Sequence, residues 1–192
     1  MNKVTAVIGL PRSGKNTFCG KWANEKDPDG LRRFIVSGDW VRLAYYGKRY
    51  IGKLEKFVHP IYETMIEALL MQDGIHLMLN DTHTSKHSIE KILNIDINTQ
   101  FIFIDTSPEI CKRRAYETNQ ADLVEGGVID RMYDHLKTLA SLSIKDMRDS
   151  FLQQYDGPSY ANYTNVKPSQ DNIQNSIEII RKRVKNKNER SN

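Results

Sequence analysis

The sequence predicts an α/β fold, three-layered with a mostly parallel sheet, and three observations carry that reading. Short apolar runs recur at residues 4–8, 34–36, 75–79 and 101–104, each the length of a buried strand. Between them lie segments with a helical apolar period, so strands and helices alternate. The first run opens directly into a glycine-rich loop and a helix start, the strand–loop–helix order of a phosphate-binding fold.

The loop is Gly9-Leu10-Pro11-Arg12-Ser13-Gly14-Lys15-Asn16-Thr17. It matches G-x-x-x-x-G-K-[ST] with one departure, Asn16, where a hydroxyl ordinarily ligates Mg²⁺. Gly9 and Gly14 let the backbone curl so that successive N–H groups face an anion. The helix starting at Lys15 adds the positive end of its dipole. Lys15 is placed to reach the β- and γ-phosphates of a nucleoside triphosphate, and Thr17 supplies a hydroxyl one residue late. The expected ligand is ATP, with Gly9, Pro11, Arg12, Ser13, Gly14, Lys15, Asn16 and Thr17 around its phosphates. Mg²⁺ would be held by Asn16, Thr17 and Asp81, partly through water.

Residues 34–36 form the second, short buried strand, ending at Ser37-Gly38-Asp39. Ligands of an open α/β sheet sit beyond the carboxyl ends of its strands, so Asp39 falls on the rim of the phosphate loop. Asp39-Trp40-Val41-Arg42 reads as a first helical turn, which puts carboxylate and guanidinium on one face. Asp39 is either the general base of a phosphoryl transfer or a helix cap. The following Tyr45-Tyr46-Gly47-Lys48-Arg49-Tyr50-Ile51-Gly52-Lys53 interleaves rings with cations. That suits a nucleic-acid strand, and equally an amphipathic loop on the core.

Phe57, Val58, Ile61, Tyr62, Met65, Ile66, Leu69 and Leu70 mark a structural helix, with Pro60 expected in its first turn. The third strand, 75–79, delivers Asn80-Asp81-Thr82-His83-Thr84 to the rim. A zinc site from His83 and His87 lacks a third ligand at a recognised spacing. Ser85 or Thr84 caps a helix through Ile89, Ile92 and Leu93. The fourth strand, 101–105, leads to Ser107-Pro108-Glu109, a cap with proline at the first helical position. Residues 117–127 are polar and glycine-terminated, fit to close over a nucleotide. A helix then carries Val128, Ile129, Met132, Leu136 and Leu139 on one face. Residues 163–166 read as a last short strand, and Pro168-Ser169 start a final helix through Ile173, Ile177, Ile180 and Val184. Its basic end, 181–187, is expected to fray.

Composition bounds the function classes. The 192 residues are 39% hydrophobic and carry a formal net charge of +4, enough chain for one core, with residues 1–166 as the main domain and 167–192 as a terminal helix and basic tail. Lys and Arg outnumber Asp and Glu twelve to five over residues 1–60, a basic surround that favours a polyanionic ligand. No apolar run reaches membrane-spanning length, and the first strand starts too early for a secretory leader. Cys19 and Cys111 form no C-x-x-C pair and suit a reducing cytoplasm, so a cytoplasmic protein (the host's cytoplasm if the chain is phage-encoded) with no membrane partner is expected.

With these pieces in place, the chain resembles the kinase domain of bacteriophage-type polynucleotide 5′-kinases, within the broader group of P-loop kinases that includes zeta toxins. The resemblance covers about residues 3–139 and rests on Gly9-Leu10-Pro11-Arg12-Ser13-Gly14-Lys15, Asp39-Trp40-Val41-Arg42 and Asp81-Thr82. It implies catalysis by Lys15, Asp39 and Arg42, with Asp39 as general base and Arg42 on the acceptor phosphate. Asp81, with Thr82 and His83, would fix the acceptor. The family carries a lid arginine where this chain has Glu117, which leaves Arg113, Arg114 and Arg131 as the lid candidates. The function implied is transfer of the γ-phosphate of ATP to a hydroxyl on nucleic acid, DNA first, at a 5′ end or on a hydroxymethylated base. Two other readings stand: a small-molecule or nucleotide kinase, and a nucleotide-dependent binding module without transfer.

Overall fold

The computed structural model describes residues 1–47, 52–152 and 166–190, with residues 143–152 described by their backbone. The fold is α/β, a four-stranded all-parallel sheet flanked by helices as in three-layer P-loop kinases. Its strands are β1 (Lys3–Ile8), β2 (Arg32–Val36), β3 (Ile75–Asn80) and β4 (Gln100–Phe103), in the order β2-β3-β1-β4. Register is explicit along the centre: Val7 lies opposite Asn80, and Val36 opposite Leu79. Parallel strands end on one side, so the residues after β1, β2 and β3 share a rim. From β1 the chain steps to β2 and β3 on one flank and to β4 on the other. Open sheets bind ligands at such a reversal, and the glycine loop leaves β1 there.

The central strands are continuous apolar runs because both faces are covered. Val4, Ala6, Val7 and Ile8 of β1 and Leu77, Met78 and Leu79 of β3 are all buried. The second strand differs from the sequence expectation. It is an edge strand with alternating exposure, and Phe34 is 38% exposed. An edge position leaves one flank without a neighbour, so period-2 exposure replaces full burial.

Two compact units divide the chain. The first comprises Met1–Ile8, Gly14–Thr82 and Asn98–Ile102. It holds the sheet with α1 (Lys15–Asn24), α2 (Gly38–Tyr46) and α3 (Glu55–Leu70). A single 3₁₀ turn, Gly52–Leu54, leads into α3, which places Pro60 in the second helical turn rather than the first. Val58 and Ile66 of α3 are buried, but Phe57 and Met65 are exposed, so the apolar stripe is only partly core. Residues 48–51 of the tyrosine- and cation-rich stretch lie outside the described residues.

The first unit also contains a polar network that periodicity gave no hint of, near the amino ends of the strands. Asp27, its carboxylate shielded from solvent, receives Arg33 Nε at 3.1 Å and the Asp29 N–H at 3.0 Å, and faces His76 Nδ1 at 2.6 Å. His76 Nε2 meets Thr5 Oγ1 at 2.9 Å. Trp22 packs edge-on against the His76 ring and lies under the Arg33 guanidinium. Burial works against ionising Asp27, yet the hydrogen bonds from His76, the Asp29 N–H and Arg33 hold its carboxyl well below the usual range. The network ties α1, β1, β2 and β3 together.

The second unit comprises Gly9–Ser13, His83–Ile97 and Phe103–Asn192. It carries α4 (Lys86–Ile95), α5 (Pro108–Glu117), α6 (Asp122–Glu125), α7 (Val128–Leu152) and α8 (Gln170–Glu189). Ser85 caps α4 in a reciprocal box with Ser88, and Ser107 caps α5 with Pro108 at its first position, both as their sequences imply. Helix α8 packs on α7 and α4, burying Ile173, Ile177, Ile180 and Val184. Contrary to the expected fraying, α8 runs through its basic segment to Glu189, because Val184 still anchors that end to the core. The expected strand at 163–166 lies almost wholly outside the described residues. No helix among the described residues is long and apolar enough to cross a membrane.

Candidate functional site

The glycine loop adopts the contortion its sequence requires. Ser13 N–H closes a turn onto Leu10 O at 3.2 Å. Arg12 has φ 64° and Gly14 φ 107°, both left-handed, so the backbone curls through the loop rather than running on as a strand. A left-handed arginine is strained, and such strain collects at ligand-binding loops. Gly9 is demanded by contact rather than by φ: a Cβ there would lie 2.9 Å from Ser13 Oγ and 3.2 Å from Ile104 O. Pro11 follows on the half-buried turn. Thr106, just past β4, donates to Ser13 O at 2.8 Å and braces the loop. The sequence reading missed Thr106, although its place after a strand end was the available signal.

Lys15 opens α1 and is 8% exposed, while Thr17 in the same turn is exposed. Asn16 is exposed as well, and its Oδ1 accepts a hydrogen bond from Asn80 Nδ2 at 3.0 Å. Cys19, one turn further, is buried, and burial pushes its thiol up to about 11 against the pull of Lys15. It is an inert core residue.

On the same rim, Asp39, Arg42 and Asp81 come together. Arg42 Nη1 donates to Asp39 Oδ1 at 2.9 Å. Its other edge is gripped by Glu55, Nε to Oε1 at 2.9 Å and Nη2 to Oε2 at 2.7 Å, a bidentate pair. Asp39 is 44% exposed and Arg42 14%, so the carboxylate meets solvent while the guanidinium is sunk behind it. Asp81 Oδ2 accepts the Gly38 N–H at 3.1 Å. A Cβ on Gly38 would lie 3.1 Å from Asp81 and 3.2 Å from Arg42, so a larger residue there would press on both charged groups. Burial pushes the Asp81 carboxyl up to about 6, against the Gly38 N–H, Arg42 and Lys15. Lys15 acts electrostatically on Asp81, which links the start of α1 to the carboxylate cluster. The Tyr62 hydroxyl is held well above its usual pKa by burial and by the Asp81 carboxylate. Glu55, Gly38 and Tyr62 carry no motif: sequence reasoning placed Tyr62 in a structural helix and assigned none of the three to the site.

Thr82 follows Asp81 half-buried, and His83 is buried with a left-handed backbone, φ 45°. Among the described residues no group of three His, Cys, Asp or Glu is placed to hold a metal ion. Of the lid candidates, Arg114 is the one at the loop: its Nη1 donates to Arg12 O at 3.2 Å and to Ser13 O at 3.3 Å. Arg113 pairs with Glu117 at 3.7 Å, and Arg131 donates to Gly126 O, closing the turn between α6 and α7. The second unit also contains a cavity of about 400 Å³ whose lining includes Leu10, Asp105, Tyr133, Leu136 and Lys167.

Among solved structures, a chain of the Pnkp1/Rnl/Hen1 RNA repair complex aligns with a TM-score of 0.60 at 18% identity, over 71% of this chain and 44% of that one. A chain from a second structure of the Pnkp1/Rnl/Hen1 complex aligns at 0.51 and 22% identity, over 59% and 39%. The crystal structure of APE1195 aligns at 0.50 and 17% identity, over 96% and 95%. This chain therefore spans less than half the length of the two repair-complex chains, and the likeness at these identities is one of fold. No protein-family model and no curated protein matches the sequence.

Proposed function

We propose that this chain is an ATP-dependent kinase that transfers the γ-phosphate to a hydroxyl of a nucleic acid. The observation that carries the reading is the Asp39–Arg42 ion pair, backed by Asp81 through Gly38, with Lys15 acting on Asp81. The acceptor oxygen attacks the γ-phosphorus, the bond to the ADP oxygen breaks, and the hydroxyl proton passes to Asp39. Asp39 suits that role because it is the solvent-facing carboxylate of the cluster. Lys15 meets the charge of the transferring group, and Arg42, oriented by Glu55, takes an acceptor phosphate. Thr17 and Asp81 would meet Mg²⁺ through water, and the metal would neutralise β- and γ-phosphate charge.

A nucleic-acid acceptor is supported by the basic first third of the chain and by a fold shared with chains of an RNA repair complex. The test offers γ-labelled ATP with 5′-hydroxyl DNA, 5′-hydroxyl RNA, hydroxymethylated duplex DNA and free nucleosides. Label on an oligonucleotide supports the reading. Label only on nucleosides moves it to a small-molecule kinase, and ATP binding with no transfer moves it to a binding module.

A further inference from the structure

Asn16 occupies the position from which a P-loop hydroxyl ordinarily ligates Mg²⁺. Its amide is not loose there. Asn80, the last residue of β3, grips Asn16 Oδ1 through Nδ2 at 3.0 Å, and Asn80 itself is 2% exposed. A donor fixed by packing holds the amide it grips in one orientation. With its oxygen turned inward, Asn16 turns its N–H₂ toward the open rim. The opposite arrangement, with nitrogen and oxygen exchanged in both side chains, is the costlier one. Asn80 Oδ1 is buried without a hydrogen-bond partner among the described residues. Exchange would put an N–H₂ in that place, and buried donors without acceptors are rarer than unmet carbonyl oxygens.

We propose that Asn16 is a phosphate donor and not a metal ligand: held by Asn80, its N–H₂ hydrogen-bonds a non-bridging oxygen of the bound triphosphate. The inference rests on the triphosphate reading above and deepens it. A hydroxyl at this position gains its hold on the nucleotide through the metal. An amide donor acts on the phosphate directly and needs no cation between them. With the phosphate gripped directly, and with Thr17 and Asp81 meeting Mg²⁺ only through water, the protein binds the nucleotide with little regard to the metal. Asn80 is the positioning residue, acting through Asn16.

The test is calorimetry on the full chain with ATP in EDTA and with ATP in excess MgCl₂, for the wild-type protein, Asn16→Ser and Asn80→Leu. The wild-type Kd values in the two buffers are expected to agree within about threefold. Asn16→Ser is expected to weaken metal-free binding about tenfold, the worth of one charge-assisted hydrogen bond, and to recover most of it with Mg²⁺. Asn80→Leu, at unchanged thermal midpoint, is expected to move metal-free binding the same way. Should Asn80→Leu fail to fold, Asn16→Ser, a change at an exposed side chain, decides alone. Metal-free binding unchanged by Asn16→Ser overturns the donor role, as does wild-type binding that requires Mg²⁺. Unchanged binding in a folded Asn80→Leu overturns the positioning role. ATP that fails to bind the wild-type chain in either buffer removes the triphosphate reading itself, a different failure from a metal-dependent one.

Discussion

Asp81 carries a carboxylate that the fold makes costly to ionise. Its folded pKa of about 6 stands above the usual aspartate value. A raised carboxyl pKa means that the folded state binds the proton more tightly than the unfolded chain. The stabilisation is therefore complete below about pH 4 and is lost as pH rises through about 6. About two units correspond to roughly 3 kcal/mol as an upper bound. Asp81→Asn is thus expected to be more stable than the wild type at pH 7.5, by up to about 3 kcal/mol, and less dependent on pH between 4 and 6. Urea unfolding at pH 4.5 and pH 7.5 checks this; equal pH dependence in both proteins would contradict it. Gly38 offers a second check. An added Cβ presses on Asp81 and Arg42, so Gly38→Ala is expected to lower transfer by roughly 10- to 100-fold through misplacement while the thermal midpoint moves little. At this scale the sequence displayed Asp39, Arg42, Asp81 and Lys15, because each sits in a motif or just past a strand. Glu55 and Gly38 stayed hidden, since their importance arises from contacts between separate elements and leaves no periodic trace.

Among the elements, β1 and β3 were legible as apolar runs because both faces of a central parallel strand are covered. The edge position of β2 was not, since strand order depends on the path of the chain and not on local composition. Pro60 misled for a related reason: the 3₁₀ turn before α3 sets where the helix begins, and proline tolerates the second turn at the cost of one backbone bond. The Asp27–Arg33–His76 network was invisible, because Asp27 lies 6 residues from Arg33 and 49 from His76 in sequence. It makes a clear prediction. Asp27→Asn leaves Arg33 and His76 without their shared carboxylate and is expected to cost about 3 kcal/mol, read as a lower urea midpoint. Because the Asp27 carboxyl is held below its unfolded value, its stabilisation is present at neutral pH and fades in strong acid. The gap between wild type and Asp27→Asn is therefore expected to narrow as pH falls below about 4. A constant gap down to pH 2 would show that Asp27 acts only by packing.

Across the whole molecule, a single topological fact organises the chemistry: every strand of the sheet points the same way, so the ends of β2 and β3 deliver Asp39 and Asp81 to the rim at which Lys15 opens α1. Strand–loop–helix order made that rim readable before any coordinates. The central claim is that this rim moves a phosphate, with Asp39 accepting the proton. Asp39→Asn keeps size and hydrogen bonding, and asparagine caps a helix as well as aspartate does. The most direct measurement is therefore single-turnover transfer of labelled γ-phosphate by wild type and Asp39→Asn, with ATP affinity and thermal midpoint taken on the same samples. The account predicts unchanged ATP binding, an unchanged midpoint and transfer reduced roughly 10²–10⁴-fold. Transfer at the wild-type rate in a stable, ATP-binding Asp39→Asn protein would contradict it.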